Sequence, residues 1–328
     1  EPVVIFSHKS FDIFAAYSRR LEDGTILEFK NNKVNGIAQL EDTEGNQWNY
    51  AGKAVSGSRT GTTLNPIRSV RGLWLAISSF YQKVSLYNNN EEERVDYENP
   101  TSDWLIDPDL IQQSSGKDDI PSLTNPTVTG LTIKNYQTGS LTEDDEVIIV
   151  EHNNVIKIYP IKIINWHEVI NDVIGGLPVT ITHSPLSATT TVFTSDGPSG
   201  DLLFGVSGKV HNNNHILYDK QTNSLWSQIK NYSINGPLIG QELVSLPFLE
   251  TNYKYVEEFL IGRPNLFLMN FNTGYDMDYD IFPYGTYRTN NVINFPLTFN
   301  DDRVPPKELV LAIIVDNEAK VYRTTDFN

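Results

Sequence analysis

The stretch NWHEVINDVIGGLPVTITHSPLSATTTVF, residues 165–193, decides the interpretation of the fold, because helix, turn and strand signals follow one another in it. Its first apolar residues recur at i, i+3, i+4, i+7 and i+8, as on one face of an amphipathic helix. They are Trp166, Val169, Ile170, Val173 and Ile174. Asn165 stands where an N-cap belongs, and Gly175-Gly176 stands where a helix stops. The pattern predicts a helix over residues 165–174 with this face toward the core.

The polar residues of the predicted helix divide into two groups. His167 and Asn171 lie on one edge of the apolar stripe, whereas Glu168 and Asp172 point away from it toward solvent. His167 is therefore expected to be the half-buried titratable group of this helix. Beyond the glycines, residues 177–182 and 189–193 are rich in β-branched side chains and predict two strands. The loop between these strands, residues 183–188, is the second candidate site.

Five blocks of the chain resemble one family. They are DDIPSLTNPTV (118–128), IYPIKIINWHEVINDVIGGLPVTITHSPLSATTTVF (158–193), LLFGVSGKVHNNNHILYDKQTNSLWSQ (202–228), INGPLIGQEL (234–243) and DDRVPPKELVLAIIV (301–315). Together they resemble the bacterial and archaeal family called domain of unknown function 3179. The resemblance implies no established activity.

One loop departs from the family pattern. Family members usually carry Cys-Pro-Leu-Cys-Gly-Thr where this chain has Ser184-Pro185-Leu186-Ser187-Ala188-Thr189. Both thiols are hydroxyls here, so the redox or thiolate-metal role that a C-x-x-C pair suggests does not carry over. The chain contains no cysteine at all, which excludes disulfides, thiol catalysis and cysteine-based zinc sites.

The composition limits the partners that the protein can have. A formal net charge of -16 opposes binding to nucleic acid and to anionic membrane surfaces, because their phosphates would be repelled. Hydrophobic residues make up 39% of the chain, as in folded globular proteins. No apolar run approaches the roughly 18 residues that a transmembrane helix needs. Small ligands, metal ions and protein partners all stay open, and no cofactor is indicated.

The expected location is outside the cytoplasm. The chain opens at Glu1-Pro2 without methionine, as a processed chain would. The family resemblance and the acidic composition, rich in Asn and Tyr, also favour secretion. We therefore expect a secreted or periplasmic protein, with a processed lipoprotein among the forms it could take.

An internal repeat is visible when two tryptophan turns are aligned. Residues 40–67 align with residues 218–246 so that Trp48 pairs with Trp226, an offset of 226 − 48 = 178. Residues 146–160 similarly resemble residues 308–323. Two copies of this length do not make a solenoid, so the repeat predicts two similar modules related by a pseudo-twofold axis, residues 1–160 and 161–328.

The repeat consists mainly of short β-branched runs between turn residues. Hairpin turns are expected at residues 44–46, 153–154, 221–223 and 316–317. Helical periodicity occurs only at residues 71–81, 165–174 and 253–261, of which the first and third are repeat equivalents. The predicted fold class is mainly β (α+β), with two homologous β-rich modules from an internal duplication and few short helices. Residues 88–125 have no sustained period and are expected to join the modules over the surface.

Two acid–base hypotheses arise from these residues. His167 beside Glu168 or Asp172 could act as an oriented general base, although a buried histidine bonded to a carbonyl explains the same pattern. Ser184 or Ser187 could be a nucleophile for that base, although no G-x-S-x-G elbow is present and loop serines commonly bond to turn amides.

Histidines also permit a metal hypothesis. His211 and His215 enclose three asparagines, a spacing that binds zinc on a helix but not on the hairpin that the surrounding pattern favours. His167 and His183 make a better pair, although two histidines without a third ligand form a weak site.

We place the candidate ligand site in a cleft formed by both predicted polar regions. Its residues are His167, Glu168, Asn171, His183, Ser184 and Ser187. Three classes of function follow. The first is a binding or structural protein without catalytic activity, because no complete catalytic constellation replaces the missing thiols. The alternatives are a metal-binding protein with a site near His167 and His183, and a hydrolase or transferase that uses His167 with Ser184 or Ser187.

Overall fold

The computed structural model describes residues 1–30, 40–81, 83–87, 92–93, 100–101, 103–136 and 140–327. In these ranges strands predominate and helices are few and short, which confirms the mainly β prediction. The strands of the first half are β1 (Val3–His8), β2 (Ile13–Ser18), β3 (Leu40–Glu41), β4 (Gln47–Trp48), β5 (Ala54–Ser56), β6 (Ser69–Leu73), β7 (Lys83–Leu86), β8 (Glu92–Glu93), β9 (Gln112–Gln113), β10 (Leu123–Thr124), β11 (Val128–Gly130), β12 (Glu146–His152) and β13 (Val155–Pro160).

The second half is also rich in strands. They are β14 (Val169–Ile174), β15 (Leu177–Ser184), β16 (Thr189–Thr194), β17 (Asp196–Gly197), β18 (Gly200–Asp201), β19 (Phe204–His211), β20 (Asn214–Asp219), β21 (Leu225–Ser227), β22 (Tyr232–Asn235), β23 (Leu249–Asn252), β24 (Leu266–Met269), β25 (Leu309–Val315) and β26 (Glu318–Arg323). The helices are α1 (Trp74–Phe80), α2 (Ile161–His167) and α3 (Tyr253–Tyr255), the last continued by a π-helix over Val256–Leu260. Single 3₁₀ turns cover Lys9–Phe11, Pro108–Leu110 and Thr324–Asp326.

Two five-stranded sheets have the same plan. One has the order β6-β25-β26-β7-β8 and the other has the order β23-β12-β13-β24-β11. In each sheet a central hairpin pairs antiparallel with one outer strand and parallel with the other. Each sheet therefore takes strands from both sides of residue 160.

The two tryptophan turns have matching contacts. The Trp48 indole donates to Asp42 over 3.0 Å, and the Trp226 indole donates to Asp219 over 3.0 Å. A β-bulge immediately before each tryptophan interrupts the pairing with the next strand. The division into modules 1–160 and 161–328 stays a prediction, although these contacts are what a duplication would give.

The predicted helix over residues 165–174 is wrong. Helix α2 ends at His167, Asn165 lies inside it, and Glu168 has a left-handed φ of 56°. Residues 169–174 then form strand β14, and Gly175-Gly176 is the hairpin turn to β15, with φ of 57° and 88°. The apolar spacing fits both structures, and the β-branched side chains favour the extended one.

The expected exposure of this stretch is also corrected. His167 is fully buried rather than half buried, while Glu168 and Asp172, expected in solvent, are buried as well. Val173, assigned to the buried face, is 44% exposed. The Asp172 carboxylate accepts from Lys157 and Tyr159, each over 2.8 Å, and these bonds compensate its loss of water.

Other local predictions are confirmed. The strands expected at 177–182 and 189–193 are β15 and β16, and the helices expected at 71–81 and 253–261 contain α1 and α3. Asn153-Asn154 and Asp316-Asn317 are two-residue turns with φ between 48° and 62°. In the segment 88–125, residues 88–91, 94–99 and 102 lie outside the described ranges. In the described parts of the chain, no helix has both the length and the apolarity to cross a membrane.

Candidate functional site

The hairpin β14–β15 determines which predicted site residues meet. Its register pairs Val169 with Thr182, so Glu168 lies opposite His183 at the ends of the strands. The backbone N–H of His183 donates to the Glu168 carbonyl over 3.0 Å. The left-handed Glu168 turns the chain from α2 into the strand, a conformation that costs roughly 1–2 kcal/mol in a residue with a Cβ. Such strain often marks a functional position.

Glu168 orients a histidine from another sheet. Its carboxylate accepts from His215 Nδ1 over 2.9 Å and from the Tyr284 hydroxyl over 2.6 Å. Because Nδ1 donates, Nε2 is the free nitrogen of this ring. Nε2 is buried and has no partner among the described residues. Glu168 and His215, together with Ser184, line a void of about 10 Å³, which holds roughly one water.

His183 is held by partners on both sides. Its Nε2 accepts from Arg288 over 3.0 Å, and its Nδ1 donates to the Thr190 hydroxyl over 2.9 Å. Burial, and then the charge of Arg288, keeps the pKa of His183 well below its usual value. The imidazole is therefore neutral and is an acceptor for the guanidinium.

The remaining predicted residues lie in different surroundings. His167 Nδ1 donates to the Pro121 carbonyl over 2.7 Å, and Nε2 lies 2.7 Å from the Tyr279 hydroxyl. Burial lowers the pKa of His167, so this ring is a neutral cross-link. Asn171 bonds to both backbone groups of Phe204 and joins β14 to β19. Ser187 bonds to the Thr189 hydroxyl over 2.8 Å and accepts from the Asn214 amide over 3.0 Å.

A long segment without strand or helix closes this region. Residues 270–308, here called the cover segment, have no regular structure, and residues 282–295 of this segment contact the loop between β15 and β16. Arg288 of the cover segment donates to the Pro185 carbonyl over 3.2 Å, and its Tyr284 reaches Glu168. Phe282 and Phe295 pack against a buried cluster that contains Leu186. Segments of this length without regular structure are uncommon and are often functional lids.

The sequence did not identify several residues of this centre. Tyr284 and Arg288 come from a segment without periodicity, so their sequence positions carry no signal. His215 was noted only as a partner of His211. The hairpin expected there is present, but it pairs His211 with Asn214 and sends His215 to Glu168. Among the described residues, no group of three or more His, Asp or Glu side chains could hold a metal ion.

A second site, which the sequence did not suggest, is a pocket lined by both halves of the chain. This central pocket of about 240 Å³ is lined on one side by residues 14–17 and 66–71 and on the other by residues 190–192, residues 245–248 and Glu250. The two sides correspond, since Tyr17 bridges to Pro66 as Phe193 bridges to Ser245. Exposed residues at its rim, Pro66 and Pro247 among them, open it to solvent.

Two residues that line this mostly apolar pocket carry buried polar atoms without partners. Arg71 and Asn231 are among its lining residues. The Nε and Nη1 atoms of Arg71 and the Oδ1 atom of Asn231 are buried and have no hydrogen-bond partner among the described residues. Burial of a polar atom without a partner costs about 1–3 kcal/mol, so we expect each of these atoms to bind a water or a ligand.

Glu250 connects the central pocket with the polar centre, the buried set of Glu168, His183, His215, Tyr284 and Arg288 described above. Its carboxylate lies 3.7 Å from Arg71 Nη1 and is bonded to the Thr190 hydroxyl, which also accepts from His183. Burial raises the pKa of Glu250 to about 7, although Arg71 lowers it. The carboxyl group is therefore partly protonated near neutral pH.

Comparisons with known proteins agree with the sequence resemblance. A family model described as protein of unknown function (DUF3179) matches residues 117–328, well over half of the chain. Searches of curated proteins and of solved structures gave no match. The match includes the polar centre and the side of the central pocket formed by residues 190–192, residues 245–248 and Glu250.

Proposed function

We propose, from the premise that this chain belongs to the family described as protein of unknown function (DUF3179), that it is a binding protein without catalytic activity that holds a small molecule in the central pocket. The observation that carries this proposal is that Arg71 and Asn231, which line a mostly apolar pocket of about 240 Å³, have buried polar atoms without partners. Concave, mostly apolar sites with a few convergent polar groups are typical of ligand sites.

The polar centre supports the non-catalytic part of this proposal. His167 and His183 have partners on both ring nitrogens, and the Ser187 hydroxyl is bonded to Thr189 and Asn214. The void beside His215 has room for one water but not for a substrate. In this interpretation the polar centre fixes the loop between β15 and β16, and the cover segment seals it.

A fragment screen on the full chain tests the binding proposal. Ligand-observed NMR with a library of acids, bases and neutral compounds should find binders that Ala16→Leu abolishes, because this residue lines the pocket and leucine would fill part of it. Ile133→Leu, at an exposed position, is the matched control and should leave binding unchanged. The proposal fails if every binder is unaffected by the filled pocket.

One observation favours a second candidate, a hydrolase or transferase. His215, rather than the expected His167, is oriented by a carboxylate, has a free Nε2 and shares a void with Ser184. These are the parts of a nucleophile, base and orienting acid, provided that the cover segment opens. Labelling of the protein by a fluorophosphonate, lost in Ser184→Ala and in His215→Gln, would establish this candidate and overturn the non-catalytic proposal.

The metal alternative has less support. A metal ion at His167 or His183 would have to displace Pro121 and Tyr279 from the first ring, or Arg288 and Thr190 from the second. Metal analysis of the purified protein tests it. We also propose a secreted or periplasmic location, including a processed lipoprotein form, on the basis of the acidic composition; fractionation of cells that express the native gene tests this.

A further inference from the structure

The central pocket has the size of a small ring compound with one functional group. An engineered cavity of about 150 Å³ lined by apolar side chains binds benzene. The central pocket is larger, at about 240 Å³, and its lining includes Phe14, Val70 and Leu311. It therefore has room for a benzene-sized body and a polar head of a few atoms.

The unpartnered atoms define what this head must offer. Arg71 Nε and Nη1 are donors, since a guanidinium has no acceptor, whereas Asn231 Oδ1 is an acceptor. The amide nitrogen of Asn231 already donates to the Ser245 hydroxyl over 2.7 Å, which fixes the direction of Oδ1. A ligand that satisfies both residues must accept from Arg71 and donate to Asn231.

The charges around the pocket are close to balance without any ligand. Arg71 is paired with Asp12 and lies 3.8 Å from Glu146 and 3.7 Å from Glu250. Arg68 adds a second cation, whose guanidinium donates to a backbone carbonyl over 2.7 Å. Arg288 also interacts electrostatically with Glu146 and Glu250, so three cations lie among three carboxylates, of which Glu250 is partly protonated. A charged ligand would lose its water without gaining a free counter-charge.

We propose that the central pocket binds a small uncharged molecule with a compact aromatic or branched apolar body and a carboxamide head. Its carbonyl oxygen accepts from Arg71, and its N–H donates to Asn231 Oδ1. This assignment rests on the proposed binding function and adds the chemical class of the ligand.

Three probes of similar size test the assignment on the full chain. Benzamide, benzoate and benzylamine share a phenyl ring and a short polar head but differ in charge, so their dissociation constants can be compared by NMR titration at pH 7. We expect benzamide to bind at least tenfold more tightly than either ion. Equal or tighter binding of benzoate or benzylamine would overturn the ligand class while leaving the binding function intact, and binding by none of the three would also overturn it.

A mild variant tests the Asn231 contact. Asn231 has a φ of 60°, so Asn231→Gly keeps a backbone that glycine adopts readily and removes only the side chain. Loss of one hydrogen bond should weaken benzamide binding roughly fivefold. Asn154→Gly is the control, because Asn154 has the same φ in an exposed turn. Equal benzamide affinity in both variants would exclude Asn231 from the site. If fragments of any charge bind only outside the pocket, the proposed function itself fails.

Discussion

Two buried tryptophan–aspartate pairs are the residue-scale anchors of the chain. Trp48 and Trp226 are fully buried, as are Asp42 and Asp219, and each indole donates to its carboxylate. Since phenylalanine removes this donor and some volume, we expect Trp48→Phe and Trp226→Phe each to lower the free energy of unfolding by about 2 kcal/mol. Urea denaturation measures both. A cost below about 0.5 kcal/mol in one and a full cost in the other would contradict the equivalence of the two turns.

Glu250 should give the protein a pH-dependent stability. Its folded pKa of about 7 lies above the usual 4.5, so its contribution is fully present below pH 4.5 and is lost as the pH rises to about 7. Burial lowers the pKa of His211 to about 4, which gives an opposite trend over an overlapping range. Comparison with Glu250→Gln isolates the carboxyl group, because His211 is present in both proteins.

We expect the difference in unfolding free energy between the wild-type protein and Glu250→Gln to change with pH. Between pH 4.5 and 7, the wild-type protein should lose up to about 3 kcal/mol relative to Glu250→Gln, from 1.36 kcal/mol per pKa unit. Unfolding free energies at several pH values provide the measurement. Parallel pH profiles of the two proteins would mean that Glu250 titrates normally.

At the scale of elements, alanine substitutions of two neighbouring glycines test the conformation of the hairpin turn after β14. A Cβ on Gly175 would lie 2.4 Å from the His152 carbonyl oxygen, whereas one on Gly176 would meet nothing within 4 Å. Both residues have positive φ, so alanine carries a backbone cost of roughly 1–2 kcal/mol at either position. Gly175→Ala should cost about 2 kcal/mol more than Gly176→Ala in thermal or urea unfolding. Equal costs would be inconsistent with this turn.

The same hairpin illustrates what the sequence could predict. Turn residues such as Asn153-Asn154 specify a local backbone conformation, so these turns could be placed correctly. Residues 165–174 could not, because their apolar spacing suits a helix stripe as well as a strand buried on both faces. A glycine pair likewise suits either a helix stop or a hairpin. Burial of β14 between neighbouring strands decides the outcome, and that contact is not local.

The polar centre could be predicted only where its residues are close in sequence. Glu168 and His183 lie at the two strand ends of one hairpin, so the sequence could predict that they are close. Tyr284 and Arg288 reach the same place from the cover segment, over more than one hundred residues of chain. Their contacts depend on tertiary packing, and no local sequence pattern indicates them.

For the whole molecule, the sheets link the two halves of the sequence. The hairpin β12–β13 ends the first predicted module, yet it pairs with β23 and β24 of the second. The hairpin β25–β26 pairs in turn with β6 and β7. If the predicted duplication is real, its two copies exchange strands between these sheets.

This exchange predicts how fragments of the chain should behave. Residues 1–160 alone would keep the hairpin β12–β13 but would lack its two neighbours, β23 and β24. They would also keep β6 and β7 but would lack the hairpin β25–β26 that lies between them. Unpaired strands bury too little apolar surface to offset their loss of conformational entropy, so this fragment should be unfolded or aggregated. Mixing it with residues 161–328 during refolding should restore a complex with the far-ultraviolet circular dichroism and cooperative melt of the intact chain. A monomeric fragment 1–160 with a cooperative melt of its own would mean that the first half completes its sheets without the second, contrary to the strand pairing of the hairpins β12–β13 and β25–β26.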